Sequence, residues 1–166
     1  DEILHAARIK VSADSSKVHF IDVGQGDSEL VELPNGQTML IDAGTPQSGN
    51  QVANKIKSLG YSRIDYLVAT HPHADHIGGM TEIINSFDIG EIYMPKVSTT
   101  TATYENLLYA IAAKGLSIHT AKAGVTIAAD NTFNVQIISP KLDDYADIND
   151  WSAIILYSTA SKNVLF

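Results

Sequence analysis

Apolar residues are distributed along the chain in three regimes, and each regime predicts different elements. Lys17 to Val23, KVHFIDV, has the composition of a strand, and Ser28 to Leu33 that of a second. Pro34 to Gly36, PNG, is a turn signal before QTMLIDAG, so the first regime predicts a meander of three strands. After the loop and cap chemistry of TPQSGN, Val52, Ile56 and Leu59 recur at helical spacing, and Gly60 stands where a helix-terminating glycine is expected. Ile64 to Ala69, IDYLVA, is a short apolar run without alternation, which fits a strand covered on both faces. Ile83, Ile84 and Phe87 then mark a second helix, EIYMP a short strand, and Tyr104, Leu107, Leu108 and Ile111 a third helix stopping near Gly115. In this second regime strand and helix alternate. From Ser117 onward strands return as SIHTA, TFNVQIIS, AIILYS and NVLF, the last two joined by the turn-like TASK. No internal repeat or low-complexity tract interrupts the pattern.

Composition narrows the function classes. A chain of 166 residues, 45% hydrophobic and 18% charged, can bury one full core. We divide it into a leading segment, 1–16, and one domain, 17–166. No apolar run approaches the roughly 20 residues of a membrane-spanning helix, and DEILHAARIK at the start lacks a signal peptide's apolar middle. There is no cysteine, so a metal would have to be held by histidine and carboxylate. A net charge of −8 argues against a broad nucleic-acid-binding face, because phosphate affinity accumulates from lysine and arginine. It leaves a nuclease open, since a metal supplies its own positive charge at one spot. No G-x-S-x-G or G-x-x-x-x-G-K-[ST] occurs, which removes the serine-elbow hydrolases and the P-loop proteins, and Glu29 breaks any dinucleotide fingerprint in GQGDSE.

The densest chemistry lies at THPHADHIGG, Thr70 to Gly79, which holds three of the chain's six histidines. Pro72 biases His71 towards an extended backbone, so His71 and His73, two residues apart, can present both imidazoles on one side. Asp75 and His76 follow at the turn into the next helix and offer a second pair of ligands, while Gly78 and Gly79 let the backbone bend behind them. Neutral imidazole and carboxylate suit zinc, manganese or iron, and a metal brings the pKa of its water from 15.7 towards about 7, producing a hydroxide nucleophile. His5, His19 and His119 are isolated and unassigned.

This HxHxDH followed by glycines resembles the signature of the metallo-β-lactamase superfamily. HFIDVGQGDS at His19 to Ser28, LIDAG at Leu40 to Gly44 and ATHPHADHIGGM at Ala69 to Met80 resemble the branch typified by the extracytoplasmic domain of the competence DNA-uptake protein ComEC and by related secreted hydrolases. The resemblance implies an α/β fold, the αββα sandwich, with metals at one edge between two sheets. It implies two divalent ions, zinc or manganese, with His71 and His73 on the first and Asp75 and His76 on the second, and Asp75 also orienting the hydroxide. Asp42 would lie behind the ligands and fix an imidazole tautomer, or else be an ordinary turn aspartate. Asp22, Gln25 and Asp27 lie in a loop the family places near the site, where turn-making and substrate contact are both open. Asn149 and Ser152 in NDWS resemble an Asn-x-x-Ser element that approaches the metals, with a plain cap as the alternative.

The branch continues after a strand like NVLF with Gly-Asp, whose aspartate bridges both metals, and later with another histidine; this sequence ends at Phe166. The expectation is therefore the N-terminal part of a longer, extracytoplasmic or secreted protein, with the sandwich incomplete at its C-terminus. Such a chain is expected to bind metal more weakly, holding one ion or none, and its open sheet would favour a homodimer. The function expected is metal-dependent hydrolysis of a phosphodiester, in DNA or a cell-envelope component. A carbon ester, lactone or thioester hydrolase and a non-catalytic binding module are the alternatives.

Overall fold

The computed structural model describes residues 15–166, so His5 and most of the leading segment lie outside the described residues. Strands β1 (Lys17–Phe20), β2 (Glu29–Glu32) and β3 (Thr38–Ile41) form the antiparallel meander. β4 (Arg63–Val68), β5 (Asp88–Met94) and β6 (Ile118–Thr120) then add parallel to β3, giving a six-stranded sheet in sequence order. Parallel neighbours need crossover connections, and helices supply them. Helix α1 (Gly49–Ser58) links β3 to β4, α2 (Ala74–Ile77) with α3 (Met80–Ser86) links β4 to β5, and α4 (Ala102–Ala113) links β5 to β6. A second, four-stranded antiparallel sheet has the order β10-β9-β8-β7, from β7 (Thr126–Ala129), β8 (Phe133–Ser139), β9 (Ile154–Thr159) and β10 (Asn163–Leu165).

The period of two along the strands sorts side chains into two cores. Leu40 faces the helices with Leu30, Ile64 and Leu67, where it meets Val52, Ile56, Ile83, Ile84, Leu107 and Ile111. Its neighbours Met39 and Ile41 face the other way, joining Val31, Val68, Phe133, Val135, Ile137 and Ile155 between the sheets. The central strands are thus apolar on both faces, which is why IDYLVA shows no alternation. The layers run helices, sheet, sheet.

Two strand boundaries and one additional strand depart most from the sequence expectation. β1 stops at Phe20 rather than Val23, because Ile21 to Asp27 leaves the sheet as a loop with Gly24 and Gly26 at φ of +76° and +93°. β5 starts at Asp88, ahead of EIYMP, since β4 offers it a full-length parallel partner from Arg63 onward. β7 has no counterpart in the sequence reading: TIAA is short and alanine-rich, and pairing with β8 holds it. No helix among the described residues is long and apolar enough to cross a membrane.

Candidate metal centre

The parallel strands β3 and β4 end side by side, and the loops leaving their C-terminal ends carry Asp42 and the histidine cluster, the usual place for a site in a parallel sheet. Asp42 is buried, 1% exposed, and has φ of +51°, a conformation Asp and Asn tolerate better than most residues. Its carboxylate gathers the cluster. Oδ1 accepts the Thr70 backbone N–H at 2.8 Å, and Oδ2 accepts both the Thr70 hydroxyl at 2.5 Å and His76 Nδ1–H at 2.7 Å. With its only proton given to Asp42, the Thr70 hydroxyl is left to accept His71 Nδ1–H at 3.1 Å. One carboxylate therefore fixes the tautomers of two imidazoles in their neutral forms, one directly and one through a hydroxyl, and leaves Nε2 of both with the free electron pair.

His71 is buried behind Pro72, while His73, Asp75 and His76 are half-buried. The His71 and His73 ring centroids are 4.8 Å apart, and those of His71 and His76 are 4.1 Å apart. Two imidazoles sharing one tetrahedral zinc with nitrogen at 2.0–2.1 Å have centroids roughly 5 Å apart, so the rings already stand at sharing distance. Among the described residues no three His, Asp or Glu side chains yet converge as a finished ligand set. The donor chemistry and spacing fit a divalent ion that would draw them together by side-chain rotation. Asp75 and His76 lie on α2, whose first residue follows the extended His73.

The DVGQGD loop is pressed onto this helix. A Cβ on Gly26 would lie 1.7 Å from the Asp75 carbonyl oxygen, so only glycine fits there. Gln25 Nε2 donates to Asp75 Oδ2 at 3.3 Å, and Asp27 Oδ2 stands 3.9 Å from His76 Nδ1. Asp22 is turned to its own loop, where its side chain accepts the Gly24 N–H and its carbonyl accepts from Gln51. Backbone bonds fasten the layers: Ala43 N–H to the His76 carbonyl at 2.8 Å, Gly44 N–H to that of Asp27 at 3.0 Å and Gly79 N–H to that of Gly44 at 3.2 Å. The late NDWS segment also reaches the cluster, but by its backbone. Ala153 N–H donates to the Thr70 carbonyl at 2.8 Å, whereas the Asn149 amide donates to Asp147 and the Ser152 hydroxyl to the Asn149 carbonyl. The side chains of Asn149 and Ser152 are thus engaged within their own 3-10 turn, Ile148–Trp151.

The charges are balanced against burial. For His71, burial and then the neighbouring His76 and His73 outweigh the carboxylates and keep it below the usual histidine range, as a neutral donor of Nε2. For His76, burial pulls down, but the Asp42 hydrogen bond and charge, with Asp75 and Asp27, outweigh it and leave His76 raised. Asp75 is also opposed by burial, yet backbone and Gln25 hydrogen bonds and the two histidines hold its carboxyl low.

One participant is invisible to a motif search. Glu29, cross-strand from Phe20 and Ile41 at the sheet's end, is pushed up from 4.5 to about 7, first by burial and then by the charges of Asp27 and Asp42. The unfolded chain releases this proton near 4.5 and the folded chain near 7, so folding is unpenalised below 4.5 and the penalty grows as pH rises through that window. Glu29→Gln is therefore expected to stabilise the metal-free protein by about 1–2 kcal/mol at pH 8, discounted for partial exposure, and to match it at pH 4. Urea denaturation at the two pH values measures this; an equal effect at both would exclude it.

The Metallo-beta-lactamase superfamily profile matches residues 21–155, most of the chain and the whole of this site. The chain belongs to the metallo-β-lactamase superfamily. ComE operon protein 3 of Bacillus subtilis is 26% identical over 91% of the chain, which spans 22% of that protein. A ribonuclease Z of Agathobacter rectalis is 31% identical over 70% of the chain, which spans 34% of the relative. The solved Cronobacter sakazakii metallo-β-lactamase with a HARLDQ motif superposes with a TM-score of 0.62 at 18% identity, covering 90% of this chain and 60% of that one. The chain thus has the metallo-β-lactamase α/β fold and spans a minor part of the curated relatives named. Superfamily members are metal-dependent hydrolases and typically bind ions such as zinc.

Proposed function

We propose that the chain carries the metal-binding half of a phosphodiesterase site, acting on nucleic acid or another phosphoester. The observation that carries this reading is the Asp42 hub: a buried carboxylate holding His71 through Thr70 and His76 directly, both by Nδ1, so that two Nε2 atoms are preset for a metal. A hub that only capped a helix would not need to set two imidazole tautomers. His71, His73, Asp75 and His76 would hold zinc or manganese, one ion or two. When bound, such an ion would make the attacking water more acidic near neutral pH and would offset phosphate charge.

The chain's own residues do the rest. Asp42 keeps the imidazoles as N–H donors on their far side, which raises the basicity of the near nitrogen. Gln25 steadies one oxygen of Asp75, leaving the other to accept the proton of the attacking water as its oxygen closes on phosphorus. The ester P–O bond then breaks, and the leaving alkoxide takes the proton that Asp75 accepted, which restores the carboxylate. Resemblance of DVGQGD to the ComE-related branch, together with the ribonuclease Z likeness, supports phosphorus over carbon as the electrophile. The test is turnover of a phosphodiester, bis(p-nitrophenyl) phosphate, against a lactone, in chain supplied with Mn²⁺ or Zn²⁺ after chelation. Preference for the phosphodiester is expected; turnover of the lactone alone would replace the reading with carbon-ester hydrolysis.

A further inference from the structure

Beyond the histidines, the same edge of the sandwich holds a cleft of about 620 Å³ between the ends of β5 and β6 and the segment that follows β8. Lys96, Thr120, Lys122, Leu142, Asp143 and Trp151 line it. Its position relative to the site is fixed by backbone bonds. Ala69 N–H donates to the Tyr93 carbonyl and Ala121 N–H to that of Met94, so Lys96 and Lys122 leave the strands next in line after the one carrying His71. On the other wall, Trp151 is two residues before Ala153, whose N–H is bonded to Thr70.

Lys17 is paired with Glu32, Arg63 with Asp65 and Asp88, and Lys57 lies over Phe87. Among the described residues Lys96 and Lys122 form no ion pair, although Asp143 shares their cleft. Lys55, Lys114, Lys141 and Lys162 are likewise outside the ion pairs of the described residues; what sets Lys96 and Lys122 apart is that both line one cleft. Two unpaired ammonium groups in one concavity of a chain with net charge −8 are where an anion would be drawn. Thr120, which carries a hydroxyl, and Trp151, 9% exposed, line the same cleft.

We propose that this cleft takes a second phosphate of the substrate, one neighbouring the scissile phosphodiester, with Lys96 and Lys122 as its positioning cations. The proposal rests on the phosphodiesterase reading for its catalytic consequence, and on the cleft alone for binding. A neighbouring phosphate exists in an oligonucleotide and in a short dinucleotide carrying a terminal phosphate, but not in bis(p-nitrophenyl) phosphate.

The experiment compares the wild-type chain with K96A/K122A. Fluorescence anisotropy with a labelled single-stranded oligonucleotide, in Mn²⁺ and across a salt series, reads binding without turnover. The double variant is expected to bind about tenfold more weakly, with the slope of log Kd against log salt reduced by about 1.4 for two lost contacts on a single strand. Hydrolysis reads the consequence: kcat/KM on the oligonucleotide falls about tenfold through KM, while bis(p-nitrophenyl) phosphate is cleaved as before. A 5′-phosphorylated dinucleotide losing as much as the oligonucleotide is the expected result for one adjacent phosphate; loss on the oligonucleotide alone would put the contact on a more distant phosphate and overturn the assignment to the neighbouring one. Unchanged anisotropy and salt slope would overturn the proposal, as would equal loss on bis(p-nitrophenyl) phosphate. Cleft-dependent binding with no turnover of any phosphodiester would keep the cleft and remove the phosphodiesterase reading.

Discussion

Asp75→Ala is expected to lower kcat for phosphodiester cleavage by about 10²–10⁴, the range for removing a positioned proton acceptor, while leaving the fold standing. The two halves of that expectation have separate grounds. Asp75 is half-buried at the start of α2, and its side chain is held by Gln25 rather than by the core, so its loss opens no cavity and strands no buried donor. Its carboxyl is held low by backbone and Gln25 hydrogen bonds and the adjacent histidines against the pull of burial, so it is a carboxylate across the whole neutral range. Removing it deletes both a metal ligand and the oxygen placed to take a proton. Turnover of bis(p-nitrophenyl) phosphate within a few-fold of wild type in this variant, in protein whose thermal unfolding is unchanged, would take Asp75 out of the chemistry.

Asp42→Ala should act in the opposite manner, on the fold before the chemistry. It leaves the Thr70 N–H, the Thr70 hydroxyl and His76 Nδ1–H without their acceptor at a position that is 1% exposed. Breaking such a buried charged network costs about 3–5 kcal/mol, and alanine at φ of +51° adds about 1 kcal/mol of backbone strain. Asn tolerates that φ and keeps one acceptor oxygen, so Asp42→Asn is expected to lose less. The sign with pH follows from His76, whose proton Asp42 stabilises: that contribution is present below the ordinary 6.5 and is lost as pH rises through the raised value. The Asp42→Ala penalty in metal-free protein should therefore be larger at pH 5.5 than at pH 9. Urea denaturation checks both statements; a loss under about 1 kcal/mol, independent of pH, would mean that the network is not what holds the loops.

Those two residues also indicate what a sequence can disclose. His71, His73, Asp75 and His76 are contiguous, and a short segment leaving a buried strand has little freedom to scatter them, so spacing alone predicted neighbours. Most elements were legible for a similar reason: the double-faced burial of β3 and β4 leaves unbroken apolar runs, and Gly60 and Gly115 follow the helices they end. What escaped depends on partners far along the chain. β7 exists because β8 is beside it, and TIAA has no signal of its own. Glu29 is an ordinary strand glutamate until folding buries it beside Asp27 and Asp42. Lys96 and Lys122 are separated by a helix and a strand, and only the parallel pairing of β5 with β6 puts them in one cleft. Gln25 and Asp22 belong to one motif and part company only in space, Gln25 to Asp75 and Asp22 to its own turn. Asn149 and Ser152 show the same divergence between motif and contact, since their segment meets Thr70 through the backbone of Ala153.

The most direct measurement is calorimetric titration of the chelator-stripped chain with Zn²⁺ and with Mn²⁺, beside His71→Ala/His73→Ala. Saturable binding at one or two ions per chain, abolished by the double substitution while the fold is retained, is the predicted result. Binding that the substitution leaves intact, or no binding by the wild-type chain, would contradict the account.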